Sequence, residues 1–386
     1  MLAKNIQPKQ SISKEVFDSL RLIRSENVGI KTFYDLVRVF GNATNAIENV
    51  QELSLRGGRK KPINVFSKTA IQEELDKLEA YNTQIICYNS KQYPELLKKI
   101  SDPPPIINAK GNISLLNTKA VAIVGSRSCS LAGIQFTQKL SRELANLKIT
   151  VVSGFARGID TAAHKASISN GTIAVLAGGI DHIYPAENKE LYNEISEKGC
   201  IVAELPIGSA PSSQHFPQRN RIISGLSLAV AVIEASIASG SLITANLALE
   251  QGREVLAVPG FPTDPRYKGN NKLLKQGASI LESVDDIIDN LSHVNFAQTS
   301  GMSDQQYKLN DRNDNSSFMT SQTSNISDSM RKDITSLLST TPVEIQEIVN
   351  HIQLPLSIIY TILLELELAG KLNRHPGNKV SIKISP

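Results

Sequence analysis

HFPQRNRIISGLSLAVAVIEASIASGSLITA, residues 215–245, is the stretch on which the reading of this chain turns. It sets Arg219, Asn220 and Arg221 at the start of a helix and runs Leu228 to Ile233 as a buried strand. It then turns at Ser239-Gly240-Ser241 into a second helix that contains Thr244. A helix, an apolar strand, a small-residue turn and a helix make a unit of an α/β fold. Both helix starts offer unpaired backbone N–H groups and the positive end of a helix dipole, and anions bind there. Two readings stand at this point. The anions are the phosphates of a single-stranded nucleic acid, or the arginines tie down carboxylates such as Glu204 and Glu234.

Outward from that stretch the pattern is regular between Lys119 and about Asn290. Apolar runs alternate with helical ones: VAIVG (121–125), TVVSG (150–154), IAVLAGG (173–179), CIVAEL (200–205), LAVAVIE (228–234) and VLAVPG (255–260). Continuous apolar strands with helices between them predict a doubly wound parallel sheet covered on both faces, an extended Rossmann-like α/β architecture. Ligands of such sheets lie beyond the carboxyl ends of the strands, at the switch in strand order.

Residues 1–82 read as a small helical domain. VFDSLRLIRSENVGIKTFYDLVRVFGNATNAIENV gives helices around an Asn27-Val28-Gly29 turn, as in sterile-alpha-motif-like or helix-hairpin-helix domains whose turn amides touch phosphate. A plain helical bundle fits the same spacing. The basic run Arg56-Gly57-Gly58-Arg59-Lys60-Lys61 is either a phosphate contact or a solvated loop. A charged helix is expected over 71–81. QIICYNSKQYPELLKKISDPPPIINAKGN then gives one strand, a short helix and a bend at prolines 103–105, the lead-in to the main domain over 83–292. Residues 293–330, rich in Asn, Ser, Gln, Asp and Thr, read as a flexible linker. Residues 331–386 read as three helices and a small hairpin, the layout of a winged helix.

The chain has 386 residues, 41% of them hydrophobic and 20% charged, with a formal net charge of +4. That suits a globular, mildly basic protein. Cys87, Cys129 and Cys200 form no CxxC or Cys/His pair, so neither a disulfide framework nor a zinc site is expected. MLAKNIQPKQSISKE lacks an apolar core, so no signal peptide is expected. Leu226–Leu249 is too broken by Glu234, Asn246 and serines to span a membrane, and a cytoplasmic protein is expected.

The strand ends carry the chemistry. Gly125-Ser126-Arg127 follows the first apolar run, yet the GxGxxG dinucleotide fingerprint is absent, so Arg127 points at an anion or packs across the sheet edge. Gly154 and Gly158 frame a tight turn that presents Arg157, and Asp160 can cap the following helix. His164 lies one helical turn from Asp160, as an acid/base pair or as a structural hydrogen bond. Tyr184 and Lys189 fall near the same rim, and Tyr184 either stacks on a base or caps the core. Arg127, Arg157 and Arg219 or Arg221, on separate strand-end loops, converge on one crevice in this reading, with Phe216 as a stacking platform. No metal constellation, Ser-His-Asp set or close carboxylate pair is visible, so no catalytic residue and no cofactor are expected.

IVGSR (123–127), SGFARGIDTAAH (153–164), TIAVLAGGIDHIYPAEN (172–188), FPQRNRIISGLS (216–227), SGSLITA (239–245) and GREVLAVPG (252–260) together resemble the DNA-processing protein A family, also called Smf. The resemblance spans the central domain, and the flanking domains match the family's layout. It implies a non-enzymatic recombination mediator that binds single-stranded DNA in a basic pocket and protects it, forms a homodimer, and helps load a RecA-type recombinase. In naturally transformable bacteria such proteins guard incoming strands. Carried over, the GSR arginine is Arg127 and the FPxRNR group is Phe216, Arg219, Asn220 and Arg221. Family members often place a basic residue just before that group; here Pro211-Ser212-Ser213-Gln214-His215 stands instead, which bears on affinity and not on the mode of binding. The alternative is a phosphoribohydrolase-like enzyme of the same class. Its GGxGT turn is replaced by Ser239-Gly240-Ser241-Leu242-Ile243-Thr244, and Leu247 and Ala248 stand where its glutamate belongs.

In a winged helix that reads DNA, the third helix carries Arg or Lys toward the major groove. Here PLSIIYTILLELELAG holds Glu365 and Glu367 and no cation before Lys371, while Arg374, His375, Lys379 and Lys383 sit in the wing. The domain is therefore expected to hold a protein partner or a second protomer, with at most backbone contact to DNA. A chain ending near Ser329 is expected to keep most single-strand affinity, and loss of binding would refute this.

Overall fold

The computed structural model describes residues 12–292, 326–352 and 354–383, which fall into two compact units. One holds Glu74–Leu309; the other combines Met1–Glu73 with Asn310–Pro386. The linker read over 293–330 lies outside the described residues up to 325. Its last part is ordered as a helix, because Ser327 caps Asp328–Leu337 by accepting from the Met330 N–H.

The larger unit is built on a nine-stranded sheet. Its strands are β1 (Gln84–Cys87), β2 (Ile106–Gly111), β3 (Ala120–Val124), β4 (Thr150–Ser153), β5 (Thr172–Val175), β6 (Cys200–Ala203), β7 (Ala229–Val232), β8 (Glu254–Ala257) and β9 (Ser279–Ile280). Their order is β1-β2-β6-β5-β4-β3-β7-β8-β9. From β6 to β9 every pairing is parallel, and β1 and β2 extend the β6 edge antiparallel. The lead-in segment thus belongs to the sheet. Prolines 103–105 end before the Ile106-Ile107 pair that opens β2, so the bend signal hid a strand behind it.

Strands β3 to β7 are buried along their whole length. The period of two sorts their side chains between two cores. Val121 and Ile123 pack with Leu140 and Leu144 of α6 (Leu131–Asn146), Ile159 and Ala163 of α7 (Ile159–Ser167), and Ile287 of α12 (Val284–Ser292). Ala120, Ala122 and Val124 pack with Leu97 of α5 (Glu95–Lys98), Ile222 and Ile223 of α9 (His215–Gly225), Ala245 and Ala248 of α10 (Gly240–Glu250), and Leu273 of α11 (Lys268–Lys275). Helix α8 (Lys189–Lys198) adds buried Leu191, Tyr192 and Ile195. Helices therefore cover both faces, as the apolar runs predict.

The other unit begins with α1 (Lys14–Ile23), α2 (Ile30–Phe40) and α3 (Ala43–Arg56); α4 (Lys68–Ala80) straddles the division. Its C-terminal part is α13 (Asp328–Leu337), β10 (Val343–Glu344), α14 (Ile345–His351), α15 (Leu356–Leu368), β11 (Leu372–His375) and β12 (Lys379–Ile382), with sheet order β10-β12-β11. Three helices and a wing are the winged helix expected. Among the described residues no helix is long and apolar enough to cross a membrane.

Candidate nucleic-acid interface

A hollow opens above the carboxyl ends of β3, β4 and β5. Arg127 comes from the loop after β3, Gly154, Ala156 and Arg157 from the turn after β4, and Leu176, Ala177 and Gly178 from the end of β5. His182, Tyr184, Pro185, Pro211, Phe216 and Arg219 complete the wall. Pro211 reaches it because a Cβ at Gly178 would lie 2.8 Å from the Ser209 carbonyl, so only a glycine lets that loop fold back.

Arg219 forms part of the wall. It is 6% exposed, and one guanidinium nitrogen donates to the Val175 carbonyl at 2.8 Å. Its Nε has no protein partner. A Cβ at Gly154 would stand 2.1 Å from an Arg219 nitrogen, so the strand-end glycine clears the space for the guanidinium. Asp160 accepts from the Gly154 N–H at 3.1 Å and from the Ala156 N–H at 3.2 Å. Burial pushes Arg219 down to about 10 and raises Asp160, while their mutual attraction opposes both shifts. Arg219 accordingly keeps its charge at neutral pH. The turn that bears the two amides holds Phe155 at φ 59, a left-handed conformation kept by a fully buried ring against His164 and Tyr192.

Arg127 is exposed, and among the described residues no carboxylate is bonded to it. Its guanidinium stands 5.0 Å from the centre of the Phe216 ring, and Tyr184 lies 5.8 Å from that ring on a tilted plane. Tyr184 is 50% exposed and stands beside Phe216 at the rim. Arg157 is also exposed and is held by Glu187 at 2.5 and 2.8 Å. A solvated pair of this kind is weak, so a phosphate can compete for the guanidinium.

Six of the residues singled out in the sequence (Arg127, Gly154, Arg157, Tyr184, Phe216 and Arg219) line this one hollow. Gly125 and Gly158 act from behind it. A Cβ at Gly125 would meet Ile159 at 2.7 Å, and one at Gly158, φ 75, would meet the Ser126 carbonyl at 2.4 Å. Ser126 itself accepts from the Ser128 N–H. Arg221 is not brought in: it bonds Glu204 at 2.6 Å and the Asp102 carbonyl at 2.7 Å, the carboxylate-binding role weighed in the sequence. Residues two positions apart on a helix point about 200° apart, so Arg219 and Arg221 cannot face one ligand. Asn220 turns toward α10 and donates to the Gly240 carbonyl at 3.3 Å. Ser239, Gly240, Ser241 and Thr244 line no part of the hollow, and Lys189 stands outside it at the start of α8. His182 was overlooked in the sequence, where nothing but its place in DHIYPAEN marks it.

The order of the strands reverses between β3 and β7, beside the hollow and not beneath its centre. There buried Glu234 accepts from the Ser130 N–H at 3.0 Å, from the Ser130 hydroxyl, and from the Tyr267 hydroxyl at 3.1 Å. Ser130 is the N-cap of α6. The helix start where a nucleotide phosphate sits in many such folds thus holds the chain's own carboxylate.

Asp160 and His164 each take a different structural partner. His164 Nδ1 lies 2.9 Å from the Thr172 hydroxyl, and its ring is fully buried. Burial holds His164 down at about 3. Below pH 6.5 the unfolded chain takes up a proton that the fold refuses, so stability present above that pH is lost as pH falls. The loss is about 1.4 kcal/mol per pH unit, or roughly 2 kcal/mol by pH 5. Urea denaturation at pH 7 and pH 5 is expected to show this fall, and His164→Asn is expected to reduce it.

A doubly wound α/β core with a cationic, aromatic-walled hollow at its strand ends, flanked by a helical domain and a winged helix, defines a protein class built to meet a polyanion. The sequence profile of the family described as DNA recombination-mediator protein A matches residues 84–292, more than half of the chain. The DprA-like N-terminal HHH domain matches 13–76, and the DprA winged helix domain matches 320–378. Protein Smf of Escherichia coli is 36% identical over 82% of this chain and 82% of its own length. DNA processing protein DprA of Bacillus subtilis is 45% identical over 58% of this chain and 77% of its own. The X-ray structure of DNA processing protein A from Streptococcus pneumoniae superposes with a TM-score of 0.60 at 32% identity, covering 72% of this chain and 98% of that one. A structure of DNA processing protein A from Helicobacter pylori, described as giving insights into its single-stranded DNA binding mode, has a TM-score of 0.50 at 30% identity over 54% and 95% of the two chains. This chain belongs to the DNA recombination-mediator protein A family.

Proposed function

We propose that the hollow above β3–β5 binds the sugar–phosphate backbone of single-stranded DNA, without catalysis, and that this is how the chain mediates recombination. The observation that carries the reading is the convergence of Arg127, from the loop after β3, and Arg219, from helix α9, on a space walled by Phe216 and Tyr184. Guanidinium forks suit phosphate oxygens, and exposed rings suit unstacked bases of any sequence. The Helicobacter pylori relative, whose structure concerns single-stranded DNA binding, supports the same ligand. A cytoplasmic location, a homodimer and delivery of the strand to a RecA-type recombinase complete the proposal and rest on the family resemblance.

The phosphoribohydrolase alternative is disfavoured by Glu234, which fills the helix start beside the strand switch, and by the Ser-Gly-Ser turn. The experiment is a competition assay with labelled single-stranded oligonucleotides against single-stranded and duplex competitors. Single strands of unrelated sequence are expected to displace the label alike, and duplex poorly. Preference for duplex, or release of free base from nucleoside monophosphates, would replace this reading.

A further inference from the structure

The third helix of the winged helix, α15, is apolar on two faces. Ile359, Ile362, Leu363 and Leu366 fill the winged helix's own core with Ile334, Ile345 and Val380. Leu364 and Leu368, 1% and 0% exposed, enter a different cluster with Leu22, Val28, Phe33, Leu36 and Leu53 of the N-terminal helices and the turn between α1 and α2. Buried on both sides over Ile359 to Leu368, the helix leaves only its first turn, around Leu356, open to solvent, and that turn carries no cation for a DNA groove.

Backbone approach and polar contacts mark this as a fitted surface. A Cβ at Gly57 would lie 2.0 Å from the Glu365 carbonyl oxygen, although φ −68 and ψ −1 at Gly57 suit any residue. Glycine is needed there for closeness alone. Asp35, on α2, accepts from Arg374 at 2.8 Å, and Arg374 also holds Glu367 at 2.8 Å, with all three side chains largely buried. The hairpin turn between α1 and α2 is engaged as well. Asn27 donates to the Leu368 carbonyl at 3.1 Å, and Lys31 donates to Asn378 in the wing at 3.3 Å.

We propose that the winged-helix domain is a clasp whose partner is the N-terminal helical domain of its own chain. The helix that reads bases in other winged helices here joins the two ends of the chain, and in the hairpin that meets phosphate in other helix-hairpin-helix domains Asn27 of the turn and Lys31 of the first turn of α2 are occupied by the same contact. This explains why α15 carries glutamates and leucines where a DNA reader carries cations. It is independent of the hollow above β3–β5.

The test uses the full chain with a specific protease site placed within residues 300–320. After cleavage and gel filtration without DNA, the C-terminal piece is expected to co-elute with the remainder. Gly57→Ala, which drives a methyl into the Glu365 backbone, and Asp35→Lys, which sets like charge against Arg374, are each expected to release it. Both changes lie outside the winged helix, and circular dichroism of the uncleaved variants checks that they fold. Separation of the wild-type pieces, or co-elution unaltered in both variants, overturns the clasp. So does a short duplex that binds the wild-type chain and frees the piece.

Discussion

Arg219→Ala is expected to unfold at a markedly lower temperature than the wild type and to lose most single-strand affinity. The guanidinium is buried near Asp160 and holds the Val175 carbonyl, so its removal leaves that carbonyl without its donor and Asp160 without the nearby positive charge that offsets its burial. Losing a hydrogen bond donated by a buried charged group costs about 1.5–3 kcal/mol. For a unit of this size that is a fall of roughly 3–12 °C in melting temperature. Adding Asp160→Asn to Arg219→Ala is expected to recover part of the loss, because the uncompensated charge is then gone. Calorimetry of the single and double variants checks this. If Arg219→Ala melts with the wild type, the guanidinium is not the buttress described.

Arg127→Ala separates binding from folding. Its side chain is exposed, its contact is the Phe216 ring, and stability is expected to stay within about 0.5 kcal/mol of wild type. A charge-assisted contact to phosphate contributes about 1.5–3 kcal/mol, so affinity for a short single strand is expected to fall roughly ten- to a hundredfold. The fall should be similar for unrelated sequences, since phosphate contacts position a strand without reading it. Fluorescence anisotropy with two oligonucleotides of different composition is the measurement. A loss confined to one sequence would mean that Arg127 reads a base.

Much of the larger unit is legible in the apolar runs. VAIVG, TVVSG, IAVLAGG, CIVAEL, LAVAVIE and VLAVPG each carry a strand of the sheet to within one residue, because a strand buried on both faces shows no polar alternation. Strand β2 escaped because the signal before it is three prolines, and β9 because two residues carry no period. In the site, glycines and arginines after strands were informative, since strand ends in such sheets share one rim. Arg221 shows the limit of that reasoning. It stands beside Arg219 in sequence, but helix geometry sends it to Glu204. Which of two neighbouring cations faces a ligand depends on the phase of α9, and the FPQRNR stretch alone does not reveal that phase. The Glu234 contact also had no signal in its own neighbourhood, because its partners Ser130 and Tyr267 come from distant segments.

The central claim is that charged groups in the hollow above β3–β5 neutralise the phosphates of a bare strand. The salt dependence of binding measures that neutralisation directly. On single strands, the slope of log affinity against log salt changes by about 0.7 for each phosphate contact. The wild type is expected to bind single-stranded oligonucleotides with a steep negative slope, and Arg127→Ala with one shallower by about that amount. Equal slopes for the two proteins, with affinity also unchanged, would place the strand somewhere else on the chain.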